Sequence, residues 1–392
     1  MIVHKDSGSV FQKKVFIVTN MVAPYRMPLF NALAKKLPFR LSVFFFTPME
    51  KDRQWDVPYN DMKFKYNFLP GIGIQLNSFV IHIRFSLFHY LMCEKPDIVI
   101  IGGFSLQTLL TMCYARLMHR AYIIWSEATL HSEQHQGMIR TLLRKWLVKN
   151  ADGFVAVSKG AKEYCQYLGA SSDRIYIAIQ TLGVSEFSDK CRLFRKKKNI
   201  YKKEIGLEKN KIMLYSGQLI RRKGLLCLLK VLKQISKKCP NLILLVLGDG
   251  PEISNLRSFC QDNGILNNVR FIGFKQMSEL PMYYAVSDLF VFPTLSDTFG
   301  IAVNEAIAAG LPIICSKYAG AAKDLLRDGE NGFVVDPLDT EDFSNKCIEL
   351  LTDDDMRREM GRRSKAMMKL CTIDRAASGF MSAINCALSN TK

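Results

Sequence analysis

The sequence predicts an α/β protein built from two parallel, doubly wound sheets, one per domain, facing each other across a cleft. Two observations carry this. Apolar strand-like runs alternate with helix-like segments along nearly the whole chain, as βαβ units require. The alternation breaks in a basic stretch, residues 185–210, and then starts again. A length of 392 residues also exceeds what one core usually supports, so two domains are expected.

The first half opens with the β-run KKVFIVTN, residues 13–20, followed by a segment in which Leu29, Ala32, Leu33 and Leu37 share one helical face. Residues 40–48 and 96–104 read as buried strands, the second ending in Gly102-Gly103 ahead of the helix LQTLLTMCYARLMH. AYIIWSEA is a further strand. Residues 153–169 give a strand, a Ser158 cap and a helix, and residues 173–184 close the half. After the basic linker come the strands KIMLYSGQL, NLILLVLGDG, NVRFIGF, DLFVFPT, PIICS and GFVVD, with helices between most of them. The expected boundaries are residues 1–185, residues 186–370 and a closing helical segment, 371–392.

A hydrophobic content of 48% with 23% charged residues describes an ordered globular chain. No apolar run approaches the ~18–20 residues that span a bilayer. The best candidate, residues 79–92, is broken by His82, Arg84 and His89. The first twenty residues lack a signal-peptide pattern, so a cytoplasmic protein is expected. Eleven cysteines are scattered without a CxxC pair or a Cys/His cluster, which points to neither disulfides nor a zinc site. The net charge of +18 is the unusual bulk property, concentrated in residues 192–211 and at Arg221, Arg222 and Lys223. It suits an anionic membrane surface, a phosphorylated substrate or a solvated basic face. Nucleic acid is not indicated, because no nucleic-acid module is recognisable.

The chemistry concentrates in residues 296–320, SDTFGIAVNEAIAAGLPIICSKYAG. Two carboxylates, Asp297 and Glu305, flank Phe299-Gly300-Ile301 where a strand gives way to a helix. Backbone N–H groups at such a junction favour an anion, and Glu305 is placed to accept hydrogen bonds from hydroxyls. A second strand–loop–helix junction, residues 215–232, places Gln218, Arg222 and Lys223 ahead of Gly224, a combination suited to a diphosphate. Gly248-Asp249-Gly250-Pro251 follows an apolar strand but fails as a dinucleotide fingerprint, since the third glycine position is Ile253. No metal site is evident. Asp353-Asp354-Asp355 reads as a helix cap.

These motifs resemble the signature of family 4 retaining glycosyltransferases: an acid, seven residues, Glu, then an Ala-x-Ala-x-Gly-x-Pro run. Here the first acid is Asp297 rather than Glu. Residues 215–224 are similar to the family's Gly-Arg-Leu…Lys-Gly motif, with Lys223 at the Lys position and the neutral Gln218 at the Arg position. The resemblance implies a GT-B fold, with the last helix packed back on the N-terminal domain. It implies transfer of a sugar, with retention, from a nucleoside-diphosphate donor, UDP- or GDP-linked, to a hydroxyl acceptor. The donor is a co-substrate, and neither a further cofactor nor a metal is implied. A bacterial lipid-linked saccharide in surface polysaccharide assembly is the implied acceptor, with the enzyme at the inner face of the cytoplasmic membrane.

By the same resemblance Lys223 holds the diphosphate, with Gln218 and Arg222 beside it, and Glu305 holds the ribose. Asp297 and the N–H groups of Phe299, Gly300 and Ile301 face the donor sugar. Gly250 and Phe274 border the base pocket. In the N-terminal half, Arg26 follows Pro24-Tyr25 in a cleft loop and is a candidate for the donor phosphate or an anionic acceptor, or a surface residue. Arg53 and Trp55 are acceptor-side candidates. Glu127 closes the strand after Trp125 and is the preferred group for the acceptor hydroxyl or the transferring sugar, ahead of His131 and His135. The rival expectation is a non-catalytic, basic membrane- or polyanion-binding protein on a degenerate GT-B fold.

Overall fold

A computed structural model describes residues 13–36, 38–50, 52–76, 79–135 and 137–390. The N-terminal half begins β1 (Lys14–Met21), α1 (Met27–Lys36), β2 (Arg40–Thr47), β3 (Lys65–Phe68), β4 (Ile72–Leu76), β5 (Phe79–Ile83) and α2 (Ser86–Glu94). It continues with β6 (Ile98–Gly102), α3 (Leu106–Leu117), β7 (Ala121–Ser126), α4 (Met138–Asn150), β8 (Gly153–Ala156), α5 (Lys159–Tyr167) and β9 (Ile175–Ile177). Seven of these strands form one sheet in the order β3-β2-β1-β6-β7-β8-β9. Every pairing in it is parallel.

The second half begins α6 (Val184–Arg195), α7 (Lys198–Glu204), β10 (Lys211–Ser216), α8 (Leu225–Ile235), β11 (Leu242–Leu247), α9 (Ile253–Asp262) and β12 (Val269–Gly273). Then follow α10 (Leu280–Val286), β13 (Leu289–Phe292), α11 (Ile301–Ala309), β14 (Ile313–Ser316), α12 (Gly320–Leu325) and β15 (Gly332–Val335). The chain ends with α13 (Thr340–Thr352), α14 (Asp354–Ala366) and α15 (Ile373–Asn390). The second sheet is also wholly parallel, ordered β12-β11-β10-β13-β14-β15. Its strands are covered on both faces, which is why β11 reads as an unbroken apolar run, LILLVL, with every residue buried.

In each sheet the strand order reverses once, between β1 and β6 and between β10 and β13. At such a switch point the connections leave toward opposite faces and open a crevice at the carboxyl ends of the strands. Two such crevices facing one another make the GT-B fold. The closing helix α15 lies on β7, β8, β9 and α1, with Phe380 packed edge-on at 5.3 Å from Trp125. Among the described residues no helix is long and apolar enough to cross a membrane.

The stretch 185–210, expected as a linker, is instead mostly helical and belongs to the second domain. Val184, Phe187, Ser188 and Cys191 of α6 are buried, a stripe of helical period packed on α10 and α11. Their apolar signal is diluted by the lysines and arginines that the same helices turn to solvent. In α1, Leu29 and Leu33 are buried as expected, whereas Leu37 lies outside the described residues. Strand β3 and the hairpin β4–β5 had no counterpart in the sequence reading. Asp353 does cap α14, its carboxylate accepting from Met356 N at 2.8 Å.

Candidate functional site

The carboxyl ends of both sheets enclose a cavity of about 700 Å³. Its C-terminal wall starts at β10. After Gly217 the chain makes one 3-10 turn, Arg221–Lys223, closed by Gly224 at φ +71°. A Cβ at Gly224 would stand 1.9 Å from the Pro293 carbonyl oxygen, so only glycine lets this turn lie against the loop after β13. The Arg222 carbonyl accepts from Leu295 N at 2.8 Å and from Thr294 Oγ1 at 2.9 Å, and the Arg222 guanidinium donates to the Ser296 carbonyl at 3.3 Å. The two loops are thereby one unit.

That unit brings Lys223 onto Asp297 in a largely buried ion pair at the cavity wall, their side chains 15% and 11% exposed. Burial opposes charge on Asp297, but the Lys223 ammonium more than offsets it and holds the carboxyl below its ordinary value. Burial likewise draws the Lys223 ammonium below its usual range. The other carboxylate oxygen of Asp297 accepts from Phe299 N at 3.3 Å. Gly300, at φ +102°, then starts α11, whose first residues line the cavity. Glu305 follows one turn later and is 7% exposed, its carboxylate accepting from the Tyr284 hydroxyl at 2.6 Å. Burial pushes the Glu305 carboxyl up to about 7, against the opposing pull of that hydroxyl.

The opposite wall comes from the N-terminal domain. Glu127, Tyr25, Arg53 and Trp55 line it. Arg26 does not. It is buried behind the wall, ion-paired to Glu127, donating to Thr19 Oγ1 at 3.1 Å and lying 4.8 Å over the Trp125 ring. It therefore fixes the orientation of Glu127. The segment between β2 and β3 crosses the cleft: Gln218 Nε2 donates to the Asp52 carbonyl at 3.0 Å, and Gln276 bonds Gln54 O and Asp56 N at 3.0 and 3.1 Å. Arg53, carried between these fastenings, stacks 5.1 Å from the Trp55 ring, which meets Tyr25 edge-on.

Of the residues singled out in the sequence, the cavity gathers Lys223, Asp297, Glu305, Glu127, Gln218, Arg222, Gly300, Ile301 and Phe274. Phe299 and Gly250 stay off its surface: the Phe299 ring is core and its N–H is taken by Asp297, while Gly250 packs on Leu219. His131 joins the domains instead, bonding the Leu295 carbonyl at 2.9 Å and stacking on Tyr318 at 4.4 Å. His135 is exposed. Sequence reasoning missed Tyr284 and Gln276. Tyr284 lies 21 positions from its partner Glu305, a separation that leaves no local pattern. Among the described residues no group of three or more metal-ligating side chains comes together.

Comparison with known proteins agrees with this architecture. The molecule is a GT-B protein: it superposes on HepE of Anabaena, crystallised with UDP, at a TM-score of 0.76 over 95% of this chain and 99% of that one, with 16% identity. Residues 197–367, most of the C-terminal domain, match the family described as glycosyl transferases group 1. The D-inositol 3-phosphate glycosyltransferase of Corynebacterium kroppenstedtii is 24% identical over 297 residues, 71% of this chain and 65% of its own length. The GDP-mannose-dependent alpha-(1-6)-phosphatidylinositol monomannoside mannosyltransferase of Mycolicibacterium smegmatis is 29% identical over 163 residues, 40% of this chain and 42% of its own. The chain thus matches about two fifths to two thirds of the length of these curated relatives.

Proposed function

We propose that this protein is a retaining glycosyltransferase of the family 4 type, moving a sugar from a nucleoside-diphosphate donor to a hydroxyl acceptor. One observation carries the reading: Lys223, Asp297 and Glu305 converge on one cavity at the switch point of the C-terminal sheet, where α/β folds bind nucleotides. Lys223, Arg222 and Arg53 supply cations for the diphosphate, and Glu305 accepts from the ribose hydroxyls. Asp297 and the start of α11 face the sugar. Glu127, held by Arg26, reaches the reacting centre from the acceptor side. The UDP of HepE and the GDP-mannose of the mycobacterial relative support a nucleoside-diphosphate donor.

In this reading the bond from the sugar's anomeric carbon to the phosphate oxygen breaks and the bond to the acceptor oxygen forms on the same face. The acceptor's proton passes to the departing phosphate, so no dedicated protein base is needed. Positive charge develops on the sugar ring and negative charge on the leaving diphosphate, which the fixed cations stabilise. Three cations at that end make a divalent ion unnecessary, so activity is expected to survive EDTA. A lipid-linked saccharide of a bacterial surface polysaccharide, met at the cytoplasmic face of the membrane, fits as acceptor; the phosphatidylinositol mannoside in the mycobacterial relative's name supports this class.

The test is thermal melting and product release with a panel of nucleotide sugars. Stabilisation by UDP or GDP, lost in Lys223→Ala and Glu305→Ala, is expected. If no nucleotide shifts the melting point, the chain is a basic binding protein on a degenerate GT-B scaffold.

A further inference from the structure

We infer that the outer face of α4 is a docking surface for an anionic lipid bilayer. The helix carries two apolar faces. Leu147 and Val148, with Arg144, face the domain and are buried. On the other side Met138, Ile139, Leu142, Leu143 and Trp146 are all exposed, by 47% to 85%. At 100° per residue they cover an arc of about 140°. Single exposed apolar side chains are ordinary on a soluble protein, but a contiguous set on one helix marks a contact surface. Leu117 at the end of α3 and Tyr167 at the end of α5 are exposed as well, on elements that adjoin α4. Lys145 Nζ lies 5.4 Å from the Tyr167 ring, and Arg116 bonds the Asn150 carbonyl at 2.9 Å, joining these ends to α4.

The charges around the patch choose the occupant. Arg140, Lys145 and Lys149 are exposed on the same helix, which contains no acidic residue. An apolar stripe containing Trp, edged by Lys145 and Arg140 and closed at its C-terminal end by Lys149, is the composition of a helix lying in the plane of a membrane interface. Its cations sit at headgroup depth, where anionic lipids attract them. A second copy of this chain is disfavoured, because a twofold pairing would bring the same cations together with no carboxylate on the helix to meet them.

The buried side of α4 links this surface to the cleft. Arg144 bonds Glu133 at 2.9 Å and the Tyr164 hydroxyl at 2.6 Å, and Glu133 lines the cavity on the loop that also carries Glu127. A bilayer on the outer face of α4 would deliver a lipid-linked molecule to the acceptor side. The docking itself does not depend on the catalytic reading, since vesicle binding needs no donor.

The experiment is flotation of the full chain with vesicles of phosphatidylglycerol and phosphatidylcholine, against phosphatidylcholine alone. Binding to the anionic vesicles is expected, weakened by raised salt, with a blue shift of fluorescence that Trp146→Phe removes. The double variant Ile139→Glu, Leu142→Glu should lower vesicle partitioning at least tenfold while melting temperature and nucleoside-diphosphate binding stay unchanged. Absence of binding to anionic vesicles, or equal binding by the variant, would overturn the inference. So would a dimeric chain that the same variant converts to a monomer, which would assign the face to a second copy.

Discussion

Gln218 at the carboxyl end of β10 reaches across the cleft and hydrogen-bonds Asp52 of the opposite domain, at 3.0 Å to its carbonyl and 3.2 Å to its carboxylate. The neutral side chain at this position does not act as a cation. It fastens the segment that carries one: Arg53 lines the cavity with its Nε 3.6 Å from the same Asp52 carboxylate, and the rest of its guanidinium is left for a ligand. Charged hydrogen bonds contribute about 1.5–3 kcal/mol each. Arg53→Ala is therefore expected to weaken UDP or GDP binding roughly tenfold to hundredfold, with uridine or guanosine binding unchanged. Adding Gln218→Arg to that variant should recover much of the diphosphate affinity. Titration calorimetry on the single and double variants decides it. Equal affinity in Arg53→Ala and the parent chain would remove Arg53 from the donor site.

Lys223 and Asp297 form a largely buried pair at the same end of the cavity. Removing one partner of a fully buried pair costs about 3–5 kcal/mol. This one faces the cavity, where solvent reaches the charge left behind, so about 1–3 kcal/mol is expected. Lys223→Ala should thus lower both melting temperature and turnover. Asp297→Ala placed on top should restore part of the stability but none of the activity. Denaturant unfolding with a turnover assay separates the two. Regained activity in the double variant would show that Lys223 serves Asp297 rather than the donor.

Gly224 allows the loops after β10 and β13 to touch. Its φ of +71° costs a non-glycine residue about 1–3 kcal/mol, and the added Cβ would meet the Pro293 carbonyl at 1.9 Å. Gly264 has a similar φ, +67°, but open space around it. Gly224→Ala should therefore lower the melting temperature more than Gly264→Ala and abolish nucleotide stabilisation, which Gly264→Ala should retain. Equal effects of the two would mean that φ alone, and not the approach of the loops, fixes the glycine.

The sequence made the parallel sheets legible because both their faces are buried, and runs such as Leu242–Leu247 stay apolar whatever packs on them. The C-terminal wall of the cavity was legible for a related reason. Lys223, Asp297 and Glu305 sit on strand–loop–helix junctions whose glycines and acids keep short, fixed spacings. Long-range pairings left no such trace: Tyr284 on Glu305, Arg26 on Glu127, and the bonds of Gln218 and Gln276 to the Asp52–Asp56 segment, although Arg26 and Gln218 stood out singly. Helix α6 was hidden because its buried stripe is short and its other faces are crowded with charge. The docking of His131 on Tyr318 depends on how the domains meet, which local periodicity does not encode.

Glu305 gives the site a pH dependence. Its carboxyl is raised by burial to about 7 in the folded protein, above the ordinary carboxyl value of 4.5. The folded state therefore binds more protons than the unfolded chain between these values. The stabilising effect of the protonated form is fully present below the unfolded value and is lost as pH rises toward 7. Ligand binding should run the other way, because an ionised carboxylate accepts hydroxyl hydrogen bonds better than a protonated one. Uridine or guanosine, which lack a phosphate that titrates, should bind more tightly as pH rises from 6 to 8. Proton release on binding would appear as a calorimetric heat that varies with the buffer. Glu305→Gln should abolish both the affinity slope and the proton release, and should flatten the fall in stability between pH 4.5 and about 7. A nucleoside affinity that is level from pH 6 to 8 in the parent chain would mean that Glu305 does not hold the ribose.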